Sequence, residues 1–238
     1  MDAQIERVRE ILHSAASVAV LTGAGVSAES GIATFRDPDG LWAKFSPREL
    51  ASMDGFLANP ERVREWYAYR RTVATTAQPN AGHYALAALE QQKSDTFSLI
   101  TQNVDRLHQR AGSRNVLEVH GNLIENRCND CDVIRTDDVL ICPHCSGAMR
   151  PNVVWFGEEL PQDVFAAAEQ AAMTCDVMIV AGTSAEVYPA AGLPYTTKRY
   201  GGIVVEVNPN PTELSSEAHY VLTGTSAQIL PHLVGDAP

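Results

Sequence analysis

No stretch of this 238-residue chain holds the ~18 or more uninterrupted apolar residues that a membrane-spanning helix requires. The opening segment MDAQIERVREIL also lacks the basic leader and unbroken apolar run of a secretory signal. It carries apolar residues at helical spacing instead (Ile5, Val8, Leu12, Ala15), so a cytoplasmic protein is expected. Positive charge is scarce: 18 Lys and Arg stand against 29 Asp and Glu, a net charge of −11. That balance opposes binding to a phosphate backbone, which is driven by cationic side chains displacing counterions. Neither a nucleic-acid nor a membrane partner is expected. Cysteine is sparse as well, with five in the chain. Four of them fall in two close pairs, which in a reducing compartment points to a metal sooner than to disulfides. Internal repeats, low-complexity tracts and long linkers are missing too.

What is present is alternation. Val18–Leu21 is a short apolar, β-branched run that stops at Thr22-Gly23-Ala24-Gly25, a buried strand feeding a glycine turn. Asn59-Pro60 places a capping side chain before a proline at the first helical position, and a helix is expected from Glu61 to about Ala77. An alanine-rich helix follows over Asn80–Gln92. Strand-like runs recur at Thr96–Thr101, Val116–Val119, Val177–Ala181 and Ile203–Val207, with helical stretches around Val104–Ala111, Pro161–Ala172 and Ala227–Val234. The pattern predicts an α/β fold, a Rossmann-like parallel sheet with helices on both faces, built from residues 1–121 and 152–238. Ligands of such sheets sit beyond the carboxyl ends of the strands. The polar interval 122–151 breaks the alternation and reads as a small zinc-ribbon insertion.

That interval holds Cys128-x2-Cys131 and, ten residues later, Cys142-Pro-His-Cys145. Each Cys-x2-Cys turn lets two thiolates converge on one tetrahedral ion, and two such turns complete an all-sulfur site. One structural zinc is expected, closed to water and substrate, with the intervening loop folded as a tight hairpin. His144 is an alternative fourth ligand to Cys145. Cys175, just before the strand Val177–Ala181, reads as a core residue.

The run Gly23-Ala-Gly-Val-Ser-Ala-Glu-Ser-Gly-Ile-Ala-Thr-Phe-Arg-Asp37 follows the first strand. Glycines there let backbone approach phosphate closely, and free amides at a helix start favour negative charge. The run departs from the dehydrogenase pattern at Ala28 and lacks the Gly-Lys-Ser/Thr of a P-loop. A purely structural glycine turn is the alternative. Further blocks then appear in order: Thr101-Gln-Asn-Val-Asp105, His120-Gly121, the cysteine pairs, Pro151-x-Val-Val-Trp-Phe-Gly-Glu158, Gly182-Thr-Ser184 and Val205-Glu-Val-Asn208. From about Thr22 to Ala227 this set resembles the sirtuin family.

The resemblance implies removal of acyl groups from lysine side chains of proteins or peptides, with NAD consumed. By that resemblance Gly23, Ala24, Gly25, Glu29, Phe35, Arg36, Gln102, Asn103 and Asp105 shape the NAD pocket, joined by Gly182, Thr183, Ser184, Asn208 and Ala227. The amide oxygen of the acyl-lysine attacks the ribose carbon, nicotinamide leaves, and a base activates a ribose hydroxyl. His120 fits that role, since an imidazole with a pKa of about 6.5 exchanges protons near neutral pH. Asn103 is the second expected catalytic residue. The acyl group ends on ADP-ribose. Val154, Trp155, Phe156 and Gly157 are implied to line the substrate cleft against Gly182–Tyr188, where Ala185-Glu186 departs from the family's usual residues. An ADP-ribosyltransferase and a non-catalytic NAD-binding protein are the alternatives; the presence of both His120 and Asn103 speaks against them.

Within the family the chain is similar to the class III branch, which acts on succinyl- and malonyl-lysine. The likeness rests on Tyr67-x-x-Arg70, three residues apart on one helix face, and on Ala51, small where bulk would fill the acyl pocket. Guanidinium and tyrosine hydroxyl together suit a carboxylate. The alternative is a solvated helix face, since Arg62, Arg64 and Arg71 lie nearby.

Overall fold

The computed structural model describes residues 3–35, 41 and 45–235. Helix α1 (Ala3–Ser14) leads into β1 (Val18–Thr22), whose five residues are all buried. The chain continues through the single turn α2 (Gly25–Ala28) and the short helices α3 (Pro47–Leu50) and α4 (Met53–Ala58). Two long helices follow, α5 (Pro60–Thr76), capped by the Asn59 side chain accepting from the Arg62 N–H, and α6 (Ala81–Lys93), opened by a capping box between Asn80 and His83. After β2 (Phe97–Thr101) comes α7 (Leu107–Arg110), then β3 (Val116–Glu118), β4 (Gly121–Cys128), β5 (Ile134–Arg135) and β6 (Met149–Val153). Helix α8 (Gln162–Thr174), β7 (Val177–Ala181), α9 (Leu193–Arg199), β8 (Ile203–Asn208), β9 (Tyr220–Thr223) and α10 (Ser226–Val234) complete it.

Six strands form one parallel sheet in the order β3-β2-β1-β7-β8-β9. Successive β1 side chains feed opposite cores, as period-two geometry requires. Val18 and Val20 pack with residues of α1, α6 and α10, whereas Ala19 and Leu21 pack with residues of α8 and α9. Burial on both faces explains why the strands read as unbroken apolar runs. The order of strands reverses at β1, so a crevice opens beyond the carboxyl ends of β1 and β7.

The second sheet is antiparallel, in the order β5-β4-β6, and carries the cysteine turns at one end. The tight hairpin expected between the cysteine pairs lies earlier in the chain: β5 folds back on β4, with Ile134 paired to Arg127, so the turn falls at residues 129–133 around Cys131. Its inner face joins α3, α4 and α5 in a third apolar cluster that includes Ala51, Trp66, Tyr67, Leu123, Val153 and Trp155. Helix α5 is lashed to this sheet by two arginines. Arg64 donates to the Met149 carbonyl (3.1 Å), and Arg71 donates to the Leu123 carbonyl (2.6 Å), to Asn126 Oδ1 (3.0 Å) and to Asp138. The helix expected over Val104–Ala111 is only one turn long. Arg106 has φ +59°, and Asp105 spends its Oδ1 on the Leu107 N–H (2.9 Å), so the residues before Leu107 are committed to a turn.

Candidate active site

Glycine loops from two neighbouring strands interlock at the crevice. A Cβ on Gly23 would lie 2.7 Å from Thr183 Cβ, and one on Gly182 would lie 2.4 Å from the Val26 nitrogen. Gly182 also has φ +61°, a conformation that glycine adopts without strain. The loops are tied further by hydrogen bonds from Gly25 N–H to the Gly182 carbonyl (2.8 Å), from Gln102 Nε2 to Thr183 Oγ1 (3.0 Å) and from Asn208 Nδ2 to the Thr183 carbonyl (3.2 Å). Gly23, Ala24, Gly25, Gln102, Gly182, Thr183, Ser184 and Asn208 are thereby gathered around one backbone-lined cradle, which fits a dinucleotide's phosphates. Glu29 and Ala227, far apart in the chain, also meet: the Ala227 N–H donates to the Glu29 carboxylate (3.2 Å). Arg36 lies outside the described residues. Ala185 is buried with φ +59°, its N–H on Thr183 Oγ1 (3.3 Å).

Below the cradle lies a buried polar network. Asp105 Oδ2 accepts from the Ser27 hydroxyl (2.7 Å), Asn103 Nδ2 donates to Ser27 Oγ (3.2 Å), and His83 Nε2 lies 3.4 Å from the same oxygen. A second branch runs from His108 Nε2 to Thr22 Oγ1 (3.0 Å), from the Thr22 hydroxyl to Thr101 Oγ1 (2.8 Å), and from the Asn103 N–H to that same Thr101 oxygen (3.1 Å). These bonds fix Asn103 and Asp105 in place. Burial pushes His83 down to about 4 and His108 well below its usual value, so both rings are neutral near pH 7. Burial also raises the Asp105 carboxyl above its usual range, while the Leu107 N–H, the Ser27 hydroxyl and the Arg70 charge pull it back. Ser27, His83 and His108 were not among the expected site residues. Ser27 sits inside the glycine block, and the Asn80-x-x-His83 cap was the available signal for His83.

His120 follows β3 and is half-buried, its Nδ1 3.2 Å from the Gln102 carbonyl. That contact assigns the proton to Nδ1 and leaves Nε2 as the basic nitrogen. Burial lowers the His120 pKa below 6.5, opposed by the Gln102 contact. The His120 carbonyl accepts from the Val154 N–H (3.0 Å), and Ala51's carbonyl accepts from the Phe156 N–H (3.0 Å). The segment Val154–Gly157 is thus tied through its backbone to the main chain of His120 and of Ala51. Phe156 is exposed, Trp155 is buried, and Gly157 turns the chain at φ +87°.

Tyr67 and Arg70 share the inner face of α5 with Val63, Trp66 and Ala74, while Arg64 and Arg71 are committed to the second sheet. The Tyr67 hydroxyl oxygen accepts from Trp155 Nε1 (2.8 Å), leaving its proton free to donate elsewhere. Burial raises the Tyr67 pKa and keeps the phenol protonated. The half-buried Arg70 guanidinium lies over the rings of Trp66, Phe35 and Tyr67, at 4.8, 5.1 and 5.5 Å from their centroids. Burial lowers its pKa, opposed by Tyr67 and Asp105. Among the described residues no carboxylate is ion-paired with it. The arrangement brings Arg70, a residue expected at the substrate, against Phe35, one expected at NAD.

The four sulfurs of Cys128, Cys131, Cys142 and Cys145 all lie within 4.8 Å of one another, with Cys128 to Cys145 at 3.3 Å and Cys131 to Cys142 at 3.7 Å. Zinc–sulfur bonds of about 2.3 Å in a tetrahedron place sulfurs roughly 3.8 Å apart, so the residues fit that ion. The cluster consists of the four thiols, without His144. Backbone N–H groups of Asp130 and His144 point at Cys128 and Cys142 sulfur, both at 3.4 Å. With four sulfurs around one ion no position is left for substrate, and the module is structural.

A dinucleotide cradle at the switch point of a parallel sheet, beside a neutral imidazole and an appended four-sulfur module, defines an NAD-using enzyme of Rossmann architecture. Comparison with known proteins narrows this class: the Sir2 family model matches residues 23–189, and the chain belongs to the Sir2 family. An NAD-dependent protein deacylase of Mycobacterium tuberculosis is 48% identical over 233 residues, covering 93% of this chain and 98% of the relative. NAD-dependent protein deacylase 1 of Archaeoglobus fulgidus is 45% identical over 236 residues, covering 96% of each. A Sir2 homolog in complex with NAD matches with a TM-score of 0.89 at 45% identity, over 98% of this chain and 93% of that one. A Sir2 protein with a p53 peptide and NAD⁺ matches with a TM-score of 0.87 at 35% identity, over 98% and 97%. Among the described residues no helix is long and apolar enough to cross a membrane.

Proposed function

We propose that the chain is an NAD-dependent protein lysine deacylase that prefers acyl groups ending in a carboxylate. The deacylase reading draws on the relatives so named and on His120, whose Nδ1 faces the Gln102 carbonyl and whose own carbonyl ties down Val154, next to the segment that would hold an acyl-lysine. NAD, when bound, supplies an electrophilic ribose carbon and a leaving nicotinamide. His120 takes a proton from a ribose hydroxyl at Nε2, with the Gln102 carbonyl holding the ring's orientation. Asn103 and Asp105, locked by Ser27 and Thr101, orient the nicotinamide side of the pocket. The buried wall of Trp155, Ala51 and Tyr67 excludes water from the acyl chain.

The carboxylate preference is carried by one observation: a half-buried guanidinium seated on three aromatic rings, which feels the Asp105 charge but has no carboxylate at ion-pair distance among the described residues, next to a tyrosine hydroxyl whose oxygen is already occupied. A succinyl or malonyl carboxylate would accept from both groups, and Ala51 leaves room for the longer chain. Arg70→Met is expected to lower kcat/KM for a succinyl-lysine peptide by about 10²–10⁴, from roughly 3–5 kcal/mol lost when one member of a desolvated charge pair is removed. Acetyl-lysine turnover should change little. Equal losses on the two peptides, or a wide preference of the unaltered enzyme for acetyl-lysine, would remove the carboxylate receptor.

A further inference from the structure

The Arg150 side chain is fully shielded from solvent, yet it is not one of the four metal-site residues. It lies on β6 of the second sheet, two residues beyond Ala148, whose carbonyl accepts from the Asn129 N–H (3.0 Å) beside the metal ligand Cys128. Each of its three nitrogens has a partner. Nε donates to Asn129 Oδ1 (2.8 Å), Nη1 to the Val153 carbonyl (3.0 Å) and Nη2 to Glu158 Oε1 (2.5 Å). Its guanidinium carbon sits 4.1 Å from the centroid of the Trp155 ring. The other Glu158 oxygen accepts from the Trp155 N–H (2.9 Å), and Trp155 in turn donates its indole proton to Tyr67.

Taking a charge out of water costs several kcal/mol before any partner is counted, and an apolar side chain would fill the same volume without that cost. What the guanidinium supplies, and an apolar group does not, is fixed direction: a planar fork that binds one strand end, one turn and one ring face at once. All of these contacts except that with Asn129 fall on the segment Val153–Glu158. That segment is also tied by backbone bonds from Val154 to His120 and from Phe156 to Ala51.

We infer that Arg150 is a positioning residue for acyl-lysine: it sets the plane of Trp155, and through it the Tyr67 hydroxyl, from a mount on the cysteine turn. This rests on the deacylase reading, which places the acyl chain against Trp155, and is independent of the carboxylate preference. The test uses the zinc-loaded full chain with Arg150→Lys and, in case the buried lysine is not tolerated, Glu158→Gln. Lysine keeps the charge but cannot span the three partners, and glutamine keeps an acceptor for the Trp155 N–H while removing the charge pair. Both are expected to raise the peptide KM about tenfold or more, as loss of a charged hydrogen bond at a binding wall does. The effect should be alike for acetyl- and succinyl-lysine, with kcat changed less than KM. The Kd for ADP-ribose, read by calorimetry, and the zinc content should stay at the unaltered values. Unchanged peptide KM in folded variants would overturn the positioning role and leave the deacylase reading intact. Parallel loss of ADP-ribose binding and zinc would overturn it too, by reducing Arg150 to general structural support. No NAD-dependent deacylation by the unaltered enzyme would overturn both.

Discussion

Replacing His120 by alanine is expected to cut turnover of acyl-lysine peptides by about 10²–10⁴-fold, the range a positioned general base contributes. Folding and ADP-ribose affinity should persist. The imidazole does not hold the glycine cradle together: among the described residues its ring bonds only the Gln102 carbonyl, and the cradle closes through Gly25, Gln102, Thr183 and Asn208. The pH profile should carry the same signature. Only the neutral ring can accept the proton, and burial disfavours the cation, so the His120 pKa lies below 6.5. Activity should therefore survive as pH falls to 6.5 and decline only below it, on the limb of kcat/KM that reports the free enzyme's base. A folded His120→Ala protein with near-normal turnover, or an acid limb centred above 6.5, would move the base to another residue.

Loss of the metal should have a different character, because it acts on structure first. Cys128→Ser or Cys142→Ser is expected to lower zinc content and thermal stability together, since in a small four-sulfur module metal-binding free energy is also folding free energy. Both sulfurs are buried, and few side chains pack around them (Met149, Cys131, Val133 and Val139), too little apolar surface to hold the end of the sheet alone. The damage should spread to the acyl pocket, because Arg64 and Arg71 of α5 and Arg150 of β6 all bond to the second sheet or its metal turn. Zinc analysis with thermal melts decides this. Chelator-treated protein that keeps its melting profile while losing only catalysis would make the metal catalytic and contradict the closed-site assignment.

The parts of the molecule legible in the sequence are those with local causes. Val18–Thr22 and its glycines follow from apolar patterning and backbone freedom, and helix α5 begins where Asn59-Pro60 places its start. The cysteine pairs gather four sulfurs because two short turns can do little else. The site's second layer was not legible, because it is built from distant positions: Ser27, His83 and His108 come from α2, α6 and α7 and meet only when the parallel sheet packs. Likewise the arginines of α5 look alike in sequence. Register on the helix sends Arg64 and Arg71 to the second sheet and Arg70 to the aromatic face, a difference that depends on what packs against each side. Strand β9 and the short helices α3 and α4 escaped for lack of period; each is at most six residues long and owes its form to neighbours.

In the proposed reaction the NAD cradle and His120 serve acyl transfer from lysine to ADP-ribose. Its most direct test is the product mass spectrum after incubating the zinc-loaded enzyme with NAD and a succinyl-lysine peptide. Three species are expected in equal amounts: nicotinamide, peptide lighter by one succinyl group, and ADP-ribose heavier by one succinyl group. A peptide or enzyme that gains the mass of ADP-ribose while the lysine stays succinylated would contradict it and make the chain an ADP-ribosyltransferase.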